Sequence, residues 1–292
     1  MIIKKIYSKL KNPLKSYLNR LGYYKNILKH DAKLNYSINQ SDFAFIKNGY
    51  KINRNLLSKE DLYHFNKFYE KNQFLFDEKF LYLLKFIENK YEKSIKEYLG
   101  DNYILVNFAV MKTSKLSKSV SECWHTDNLG HKLNLLICVD GDGSIPTFYK
   151  PGTHKKKYFP SIFEEMRMSF NINLFLTDSA KIIFDHKKGD CTLFDANAKH
   201  RGSYQAGTME RKIIIIDFMN KDKFLDLRGH NENESNKSNI KYPYREMNEI
   251  KDYQLIPEKI FKDLLRFNFF SKDVIKNHNG KHYFQYSNLV ED

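Results

Sequence analysis

The sequence predicts an α+β protein in which a β core lies between helical extensions. Residues 54–99 contain no glycine or proline and repeat apolar side chains at helical spacing. Short apolar segments separated by Gly, Asp, Asn and Pro follow over residues 103–218, which is typical of a sandwich or a barrel. A helical pattern with proline at its first turn returns at residues 257–270.

The chain of 292 residues suits one elaborated domain. We expect a helical extension packed on the core over residues 1–100, the core over 101–220, and a polar loop with a helical tail over 221–292. Residues 54–99 should form two helices with a break near residues 72–77. The expected strands are Tyr103–Val110, Leu133–Val139, Thr147–Tyr149, Ile182–Phe184, Cys191–Phe194 and Lys212–Phe218.

Composition excludes several classes of protein. No apolar run reaches the roughly 18–20 residues that span a bilayer. The N-terminus lacks the uninterrupted apolar segment of a secretory signal, so secretion is not expected. The three cysteines show no CxxC spacing, which argues against a disulfide framework and a structural zinc site. We therefore expect a cytoplasmic protein with buried Cys123, Cys138 and Cys191.

The formal net charge of +14 is concentrated at the N-terminus. Residues 1–30 carry eight Lys or Arg side chains and no acid, with apolar residues at helical spacing, and Pro13 is expected to interrupt or start the helix. Such a helix can pack on the domain with solvated lysines, or it can contact a membrane surface or an acidic protein. No nucleic-acid-reading motif accompanies the charge, so nucleic-acid binding is not expected.

Two separated clusters suggest a metal site. His125 and Asp127 are two residues apart, so in an extended strand their side chains share one face. His200 follows a predicted turn and strand that begin at Gly189. Two His and one carboxylate on one side of a divalent ion form the facial triad of non-haem Fe(II) oxygenases, which leaves open positions for co-substrate and O₂.

Arg211 opens the predicted strand of isoleucines, eleven residues after His200. An arginine offers a planar, permanently charged fork for a carboxylate. Burying it without an anion is costly, so a carboxylate is the expected partner.

Together these residues resemble the phytanoyl-CoA dioxygenase-like family of Fe(II)/2-oxoglutarate-dependent oxygenases. The resemblance covers residues 103–220 and rests on the order and spacing of Trp124-His125-Thr126-Asp127, Pro151-Gly152-Thr153-His154, Gly189-Asp190 with Phe194, and His200 with Arg211. The family implies a double-stranded β-helix, that is, a jelly-roll or cupin-like core. It also implies iron on His125, Asp127 and His200, with Arg211 on the distal carboxylate of 2-oxoglutarate.

Further contacts to the co-substrate are less specific. Ser203 lies three residues after His200, where family members often keep a small hydroxyl residue, and Asn134 and Lys112 lie on strands expected to line the cavity. Proline and glycine in Pro151–His154 favour a structural turn, so His154 is not expected to be a ligand. The same holds for His131 and His186, although His131 can border the cavity.

The resemblance implies a dioxygenase that hydroxylates an aliphatic C–H bond, consuming O₂ and 2-oxoglutarate and releasing succinate and CO₂. The retained Asp127 favours hydroxylation over halogenation in such a family. Desaturation or epimerisation with the same cofactors stays open, as does a non-catalytic barrel that acts as a binding module. Basic residues 155–157 and the N-terminal helix are compatible with a small anionic metabolite or a surface glycan or lipid precursor as substrate.

Overall fold

The structure is a computed structural model that describes residues 2–41, 43–70, 75–113, 124–127, 129–170, 181–203, 207–228 and 253–290. Within these residues the protein is a mixed α/β structure with helices around a largely antiparallel sheet. The helices are α1 (Ile2–Gln40), α2 (Ala44–Asn48), α3 (Lys59–Asn66), α4 (Glu78–Leu99), α5 (Ile162–Phe170), α6 (Lys221–Arg228) and α7 (Glu258–Leu264). The strands are β1 (Tyr50–Asn53), β2 (Tyr103–Thr113), β3 (Leu133–Asp140), β4 (Thr147–Tyr149), β5 (Ile182–Phe184), β6 (Cys191–Asp195), β7 (His200–Arg201), β8 (Arg211–Asn220), β9 (Tyr253–Ile256), β10 (Lys276–His278) and β11 (Lys281–Val290).

The strands form two sheets in the part of the chain that the structure describes. The larger sheet has the order β1-β6-β3-β8-β2-β11-β10, and β9 also pairs with β11. The smaller sheet has the order β5-β4-β7. Strand β11 runs parallel to β2, whereas the other described pairs are antiparallel.

Side-chain alternation gives the larger sheet two different buried faces. On β8, Ile214 and Ile216 belong to the main core, which includes the helices. The neighbouring residue Ile213 belongs to a second cluster that includes Tyr149 and Phe184 of the smaller sheet. The face that carries Ile213 therefore packs against the smaller sheet, and the site described below lies on this side.

Helix α1 differs from the prediction, because it continues from Ile2 to Gln40 with Pro13 inside it. Proline removes one backbone hydrogen bond of a helix, yet Pro13 is buried and the helix packs on the domain on its C-terminal side. Tertiary packing therefore outweighs the local break that the sequence suggests. No helix in the described ranges is both long enough and apolar enough to cross a membrane.

The expected helical extensions also contain strands. Strand β1 lies within the N-terminal part and pairs with β6, and strands β9, β10 and β11 lie in the predicted helical tail. The helix expected at residues 257–270 is shorter, since α7 ends at Leu264. The polar tract at 231–239 lies outside the described residues. Cys138 and Cys191 are buried free thiols as expected, and Cys123 is outside the described part.

A buried polar network connects α1 to the loop before β3. The Lys223 ammonium, fully buried in α6, donates to Asp31 Oδ1 at 2.7 Å and to the carbonyl of His131 at 3.0 Å. The backbone N–H of His131 donates to Asp31 Oδ2 at 2.9 Å. The ring of His131 contacts Asp195 at 2.5 Å and Asn35 at 3.1 Å. This network fixes the loop that leads into the site.

Replacing Lys223 by methionine should leave the Asp31 carboxylate buried without its cation. We expect a loss of about 3–5 kcal/mol in the free energy of unfolding, measured by urea titration. The matched control is Lys221→Met on the same helix, which breaks a half-exposed pair with Asp273 and should cost less than about 1 kcal/mol. Equal costs for the two variants would contradict a role of the buried pair in stability.

Candidate metal centre

Backbone pairing brings the two sequence clusters together. His125 and His200 lie opposite each other in an antiparallel bridge, with N–H···O distances of 3.0 and 2.9 Å in the two directions. The N–H of Asp127 donates to the carbonyl of Ala196 at 3.1 Å, so the same segment stays paired two residues further on. Opposed residues and residues two apart share one face of a pair of strands. The three side chains therefore point to one place.

The ligand atoms of His125, Asp127 and His200 all lie within 4.8 Å of one another. Asp127 Oδ1 is 3.3 Å from His200 Nε2 and 3.9 Å from His125 Nε2. Two imidazoles and one carboxylate form a donor set that suits a divalent first-row metal such as Fe(II). The three predicted ligands therefore lie together, and no fourth His, Cys, Asp or Glu of the described residues belongs to the cluster.

A hydrogen bond to the backbone orients the ring of His200 without the help of a metal. His200 Nδ1 lies 3.0 Å from the carbonyl oxygen of Ala198, which can only accept a hydrogen bond. Nδ1 therefore carries the proton, and the lone pair of Nε2 faces the cluster. This arrangement sets the tautomer that metal binding needs.

The two carboxylate oxygens of Asp127 have different neighbours. Oδ1 faces the histidines, whereas Oδ2 lies 2.6 Å from Lys132 Nζ and 3.5 Å from Asn134 Nδ2. Burial alone would raise the pKa of Asp127, but Lys132 and the two histidines hold it well below its usual range. The carboxylate is therefore ionised and positioned to offer one oxygen to a metal.

Lys132 also reaches a second carboxylate. Its buried ammonium lies 3.2 Å from Asp217 Oδ2, and Asn107 Nδ2 donates to the same oxygen at 3.3 Å. Burial raises the pKa of Asp217, and the nearby Asp127 acts in the same direction. Lys132 thus connects the predicted metal ligand to a buried acid on β8.

Replacing Lys132 by glutamine should weaken metal binding about tenfold or more, the usual cost of losing an outer partner of a ligand. The reason is that Asp127 loses the cation that keeps it ionised and oriented. Anaerobic Fe(II) titration measures the effect. Lys199→Gln is the matched control, because Lys199 adjoins His200 but its ammonium pairs with Glu164 at 2.8 Å. Unchanged or tighter Fe(II) binding in Lys132→Gln would show that repulsion between the Lys132 cation and the metal outweighs the positioning of Asp127.

Arg211 is buried at the start of β8, with 6 % of its surface exposed. One guanidinium N–H donates to the carbonyl of Ile145, and Nε has no hydrogen-bond partner. No carboxylate in the described part of the chain pairs with it. Burial lowers the pKa of Arg211 to about 10, so the side chain stays charged at neutral pH. A buried cation without an anion is costly, which indicates that a bound anion completes the site.

Strand register places further polar groups on the face that carries Arg211. Asp217 lies six residues along β8 from Arg211 and opposite Asn134 of β3 and Asn107 of β2. Within the described residues, one buried polar atom on each of five side chains of this face lacks a hydrogen-bond partner: Asn107 Oδ1, Thr113 Oγ1, Asn134 Oδ1, Arg211 Nε and Asp217 Oδ1. Buried polar atoms are normally paired, so this face has the properties of a ligand-binding surface.

The other predicted site residues have mixed outcomes. Lys112 is opposite Lys212 in the register and thus on the face away from Arg211, and it pairs with Glu210 at 3.0 Å. The expectation that Lys112 lines the cavity is therefore not met, because its neighbours Met111 and Thr113 are the residues on the face that carries Arg211. Asn134 Nδ2 lies 3.5 Å from Asp127 Oδ2, and Ser203 is buried after β7. Their contacts to the co-substrate stay predictions.

The remaining histidines make structural contacts. His154 Nε2 lies 2.9 Å from the carbonyl of Ile46, and His186 Nε2 lies 3.1 Å from Thr192 Oγ1. His131 contacts Asp195 and Asn35 in the network described above. These three lie outside the cluster of potential metal ligands, as the sequence predicts.

Sequence reasoning missed Lys132, Asp217 and Asn107. Asp217 interrupts a run of isoleucines, and Asn107 is the one polar residue among its neighbours in β2. A polar residue within an apolar strand is a usable signal for a site, because burying it needs a partner. Lys132 gives no comparable signal, since its role depends on how the loop before β3 folds.

No family model matches the chain, and no curated protein matches it. Solved structures show distant likenesses. The non-heme alpha ketoglutarate dependent epimerase SnoN from nogalamycin biosynthesis is 13 % identical at a TM-score of 0.47, over 65 % of this chain and 84 % of that one. HygX from Streptomyces hygroscopicus, with nickel and 2-oxoglutarate bound, is 12 % identical at a TM-score of 0.48, over 61 % and 84 %.

EvdO2 from Micromonospora carbonacea var. aurantiaca, complexed with 2-oxoglutarate, is 13 % identical at a TM-score of 0.43. That match covers 60 % of this chain and 88 % of EvdO2. At such distances the residues of this chain must themselves carry any assignment of function.

Proposed function

We propose that the protein is an Fe(II)- and 2-oxoglutarate-dependent oxygenase of the phytanoyl-CoA dioxygenase-like type, with a double-stranded β-helix core. His125, Asp127 and His200 hold the iron, and Arg211 holds the distal carboxylate of 2-oxoglutarate. The observation that carries the proposal is the convergence of three ligand atoms within 4.8 Å, next to Asn134. Asn134 lies on the sheet face that also carries Arg211, a buried arginine with no carboxylate partner among the described residues.

The donor set fits the metal. Neutral imidazole and carboxylate are ligands that Fe(II) accepts, and cysteine, which would favour zinc or copper, is absent from the described cluster. The Ala198 carbonyl presents Nε2 of His200, and Lys132 leaves Oδ1 of Asp127 free. These two contacts leave Nε2 of His200 and Oδ1 of Asp127, which lie 3.3 Å apart, as the atoms available for coordination.

Arg211 and the unpaired polar atoms fit a dicarboxylate. A guanidinium that is buried without a carboxylate partner offers charge-assisted hydrogen bonds that an entering carboxylate completes. Asn134 lies on β3, and its side chain adjoins Asp127. It is therefore placed to orient the end of 2-oxoglutarate that lies opposite the distal carboxylate. When bound, iron and 2-oxoglutarate supply O₂ activation coupled to release of CO₂ and succinate.

The chain supplies binding, orientation and apolar surroundings. The second apolar cluster, including Leu136, Ile213 and Phe194, excludes water between the two sheets. Asn107, Thr113 and Asp217 present unpaired polar atoms on the same face and orient the substrate through hydrogen bonds. We propose hydroxylation of an aliphatic C–H as the outcome, since Asp127 is retained; desaturation or epimerisation uses the same site with another substrate placement.

The proposed substrate is a small anionic metabolite or a surface glycan or lipid precursor. Lys156 and Lys157 are exposed in the loop whose backbone accepts hydrogen bonds from Asn197, three residues before His200. Basic side chains near a site raise the local concentration of anions.

Succinate release from 2-oxoglutarate tests the proposal. We expect release that needs Fe(II) and O₂ and rises when a metabolite pool contains the substrate, which gains one oxygen in mass spectrometry. The Asp263→Ala variant, which removes an exposed acid paired with Arg266, is the control and should behave as the wild type. Binding of iron and 2-oxoglutarate without any succinate release would instead identify a non-catalytic binding module.

A further inference from the structure

One face of α1 exposes a row of large apolar side chains. Leu14, Leu18 and Leu21 are 51 %, 54 % and 43 % exposed. Positions separated by four and by seven residues share one face of a helix. The opposite face packs on the domain, where Tyr23 and Ile27 are buried in the main core. A continuous apolar row of this kind on a surface marks an interaction site.

Positive charge lies next to this row. Lys15 and Lys25 are exposed on the same side of α1. Viewed down the helix axis, with about 100° of rotation per residue, Lys25 lies between Leu14 and Leu18. The first acidic residue of the chain is Asp31, which is buried against Lys223. The exposed surface of the first thirty residues therefore carries no negative charge of its own.

A second element adds apolar surface beside α1. Helix α5 packs on α1 through the ion pair between Arg20 and Glu165 at 2.5 Å. Phe163 on α5 is 80 % exposed. Phe159, just before α5, is 63 % exposed, and its ring lies 5.3 Å from that of Tyr24 of α1. Exposed phenylalanines and leucines next to lysines are the composition of helices that lie in a membrane interface.

We propose that α1 docks the protein on an anionic phospholipid surface. The leucines enter the boundary between headgroups and acyl chains, and Lys15 and Lys25 contact lipid phosphates. A second copy of the chain is the less favourable occupant, because two faces that carry only positive charge repel each other. The lipid surface attracts the lysines and accepts the leucines at once. The inference is independent of the iron site.

Flotation of the full chain with vesicles tests it. We expect binding to vesicles of equal parts phosphatidylglycerol and phosphatidylcholine, little binding to phosphatidylcholine alone, and release at high salt. The triple variant L14Q/L18Q/L21Q should lose at least about tenfold in partitioning. The K15E/K25E variant should lose the preference for phosphatidylglycerol. Tyr63→Gln removes an apolar side chain that is 62 % exposed on α3, and should bind as the wild type.

Three results would overturn the proposal. They are absence of binding to the anionic vesicles, equal binding of wild type and the leucine variant, and a wild-type dimer in solution that the leucine variant converts to a monomer. The substitutions lie on an exposed face, so circular dichroism and succinate release should match those of the wild type. Vesicle binding is measured without iron or 2-oxoglutarate, so its failure would leave the proposed oxygenase activity untouched.

Discussion

Replacing Asp127 by alanine is expected to abolish iron-dependent turnover of 2-oxoglutarate. The change removes the only carboxylate of the described cluster and leaves Lys132 facing two imidazoles, a combination that repels a divalent ion. The loss should exceed by far the roughly 10–100-fold cost of removing an outer partner of a ligand. Succinate release under saturating Fe(II) and 2-oxoglutarate measures it.

The Asp263→Ala variant again serves as the control. Asp127→Glu is a second comparison, since it keeps the carboxylate but lengthens the side chain, and it should retain some iron binding with reduced turnover. Full activity of Asp127→Ala would refute the assignment of this residue as a metal ligand.

Replacing Arg211 by methionine should chiefly raise the 2-oxoglutarate requirement. Loss of a charge-assisted, two-pronged contact to a carboxylate in a buried site corresponds to about a hundredfold or more in KM for 2-oxoglutarate. At saturating co-substrate, kcat should change much less, because the metal ligands are intact. The KM of Arg211→Lys for 2-oxoglutarate should lie between those of the wild type and Arg211→Met, because lysine keeps the charge but not the planar fork.

Stability gives an independent check on the same residue. Since Arg211 is a buried cation without a described carboxylate partner, methionine at this position should leave the free energy of unfolding within about 1 kcal/mol of the wild type. A large loss of stability with an unchanged 2-oxoglutarate requirement would mean that Arg211 serves the fold instead of the co-substrate.

Much of the central sheet could be predicted from local pattern. Strands β4 and β5 have the predicted bounds, and β3, β6 and β8 differ by one or two residues at their ends. Apolar runs bounded by Gly, Asp and Pro locate such strands because turn residues have strong backbone preferences. The shared direction of His125 and Asp127 could be predicted from a different rule, since residues two apart in a strand share a face.

Features that depend on distant pairing could not be predicted. Strand β1 has four residues and pairs with β6, about 140 positions away, and β11 pairs in parallel with β2. Nothing local in these segments distinguishes a strand from a loop. The outcome for Lys112 has a related cause: which side chains of β2 face Arg211 depends on the pairing register of β2 with β8, which the sequence does not show.

Anaerobic titration of the chain with Fe(II), followed by calorimetric titration with 2-oxoglutarate, tests the central claim most directly. The account predicts one ferrous ion per chain, 2-oxoglutarate binding that depends on that ion, loss of both in Asp127→Ala, and loss of the second alone in Arg211→Met. Iron bound equally well by Asp127→Ala, or 2-oxoglutarate bound equally well without iron, would contradict it.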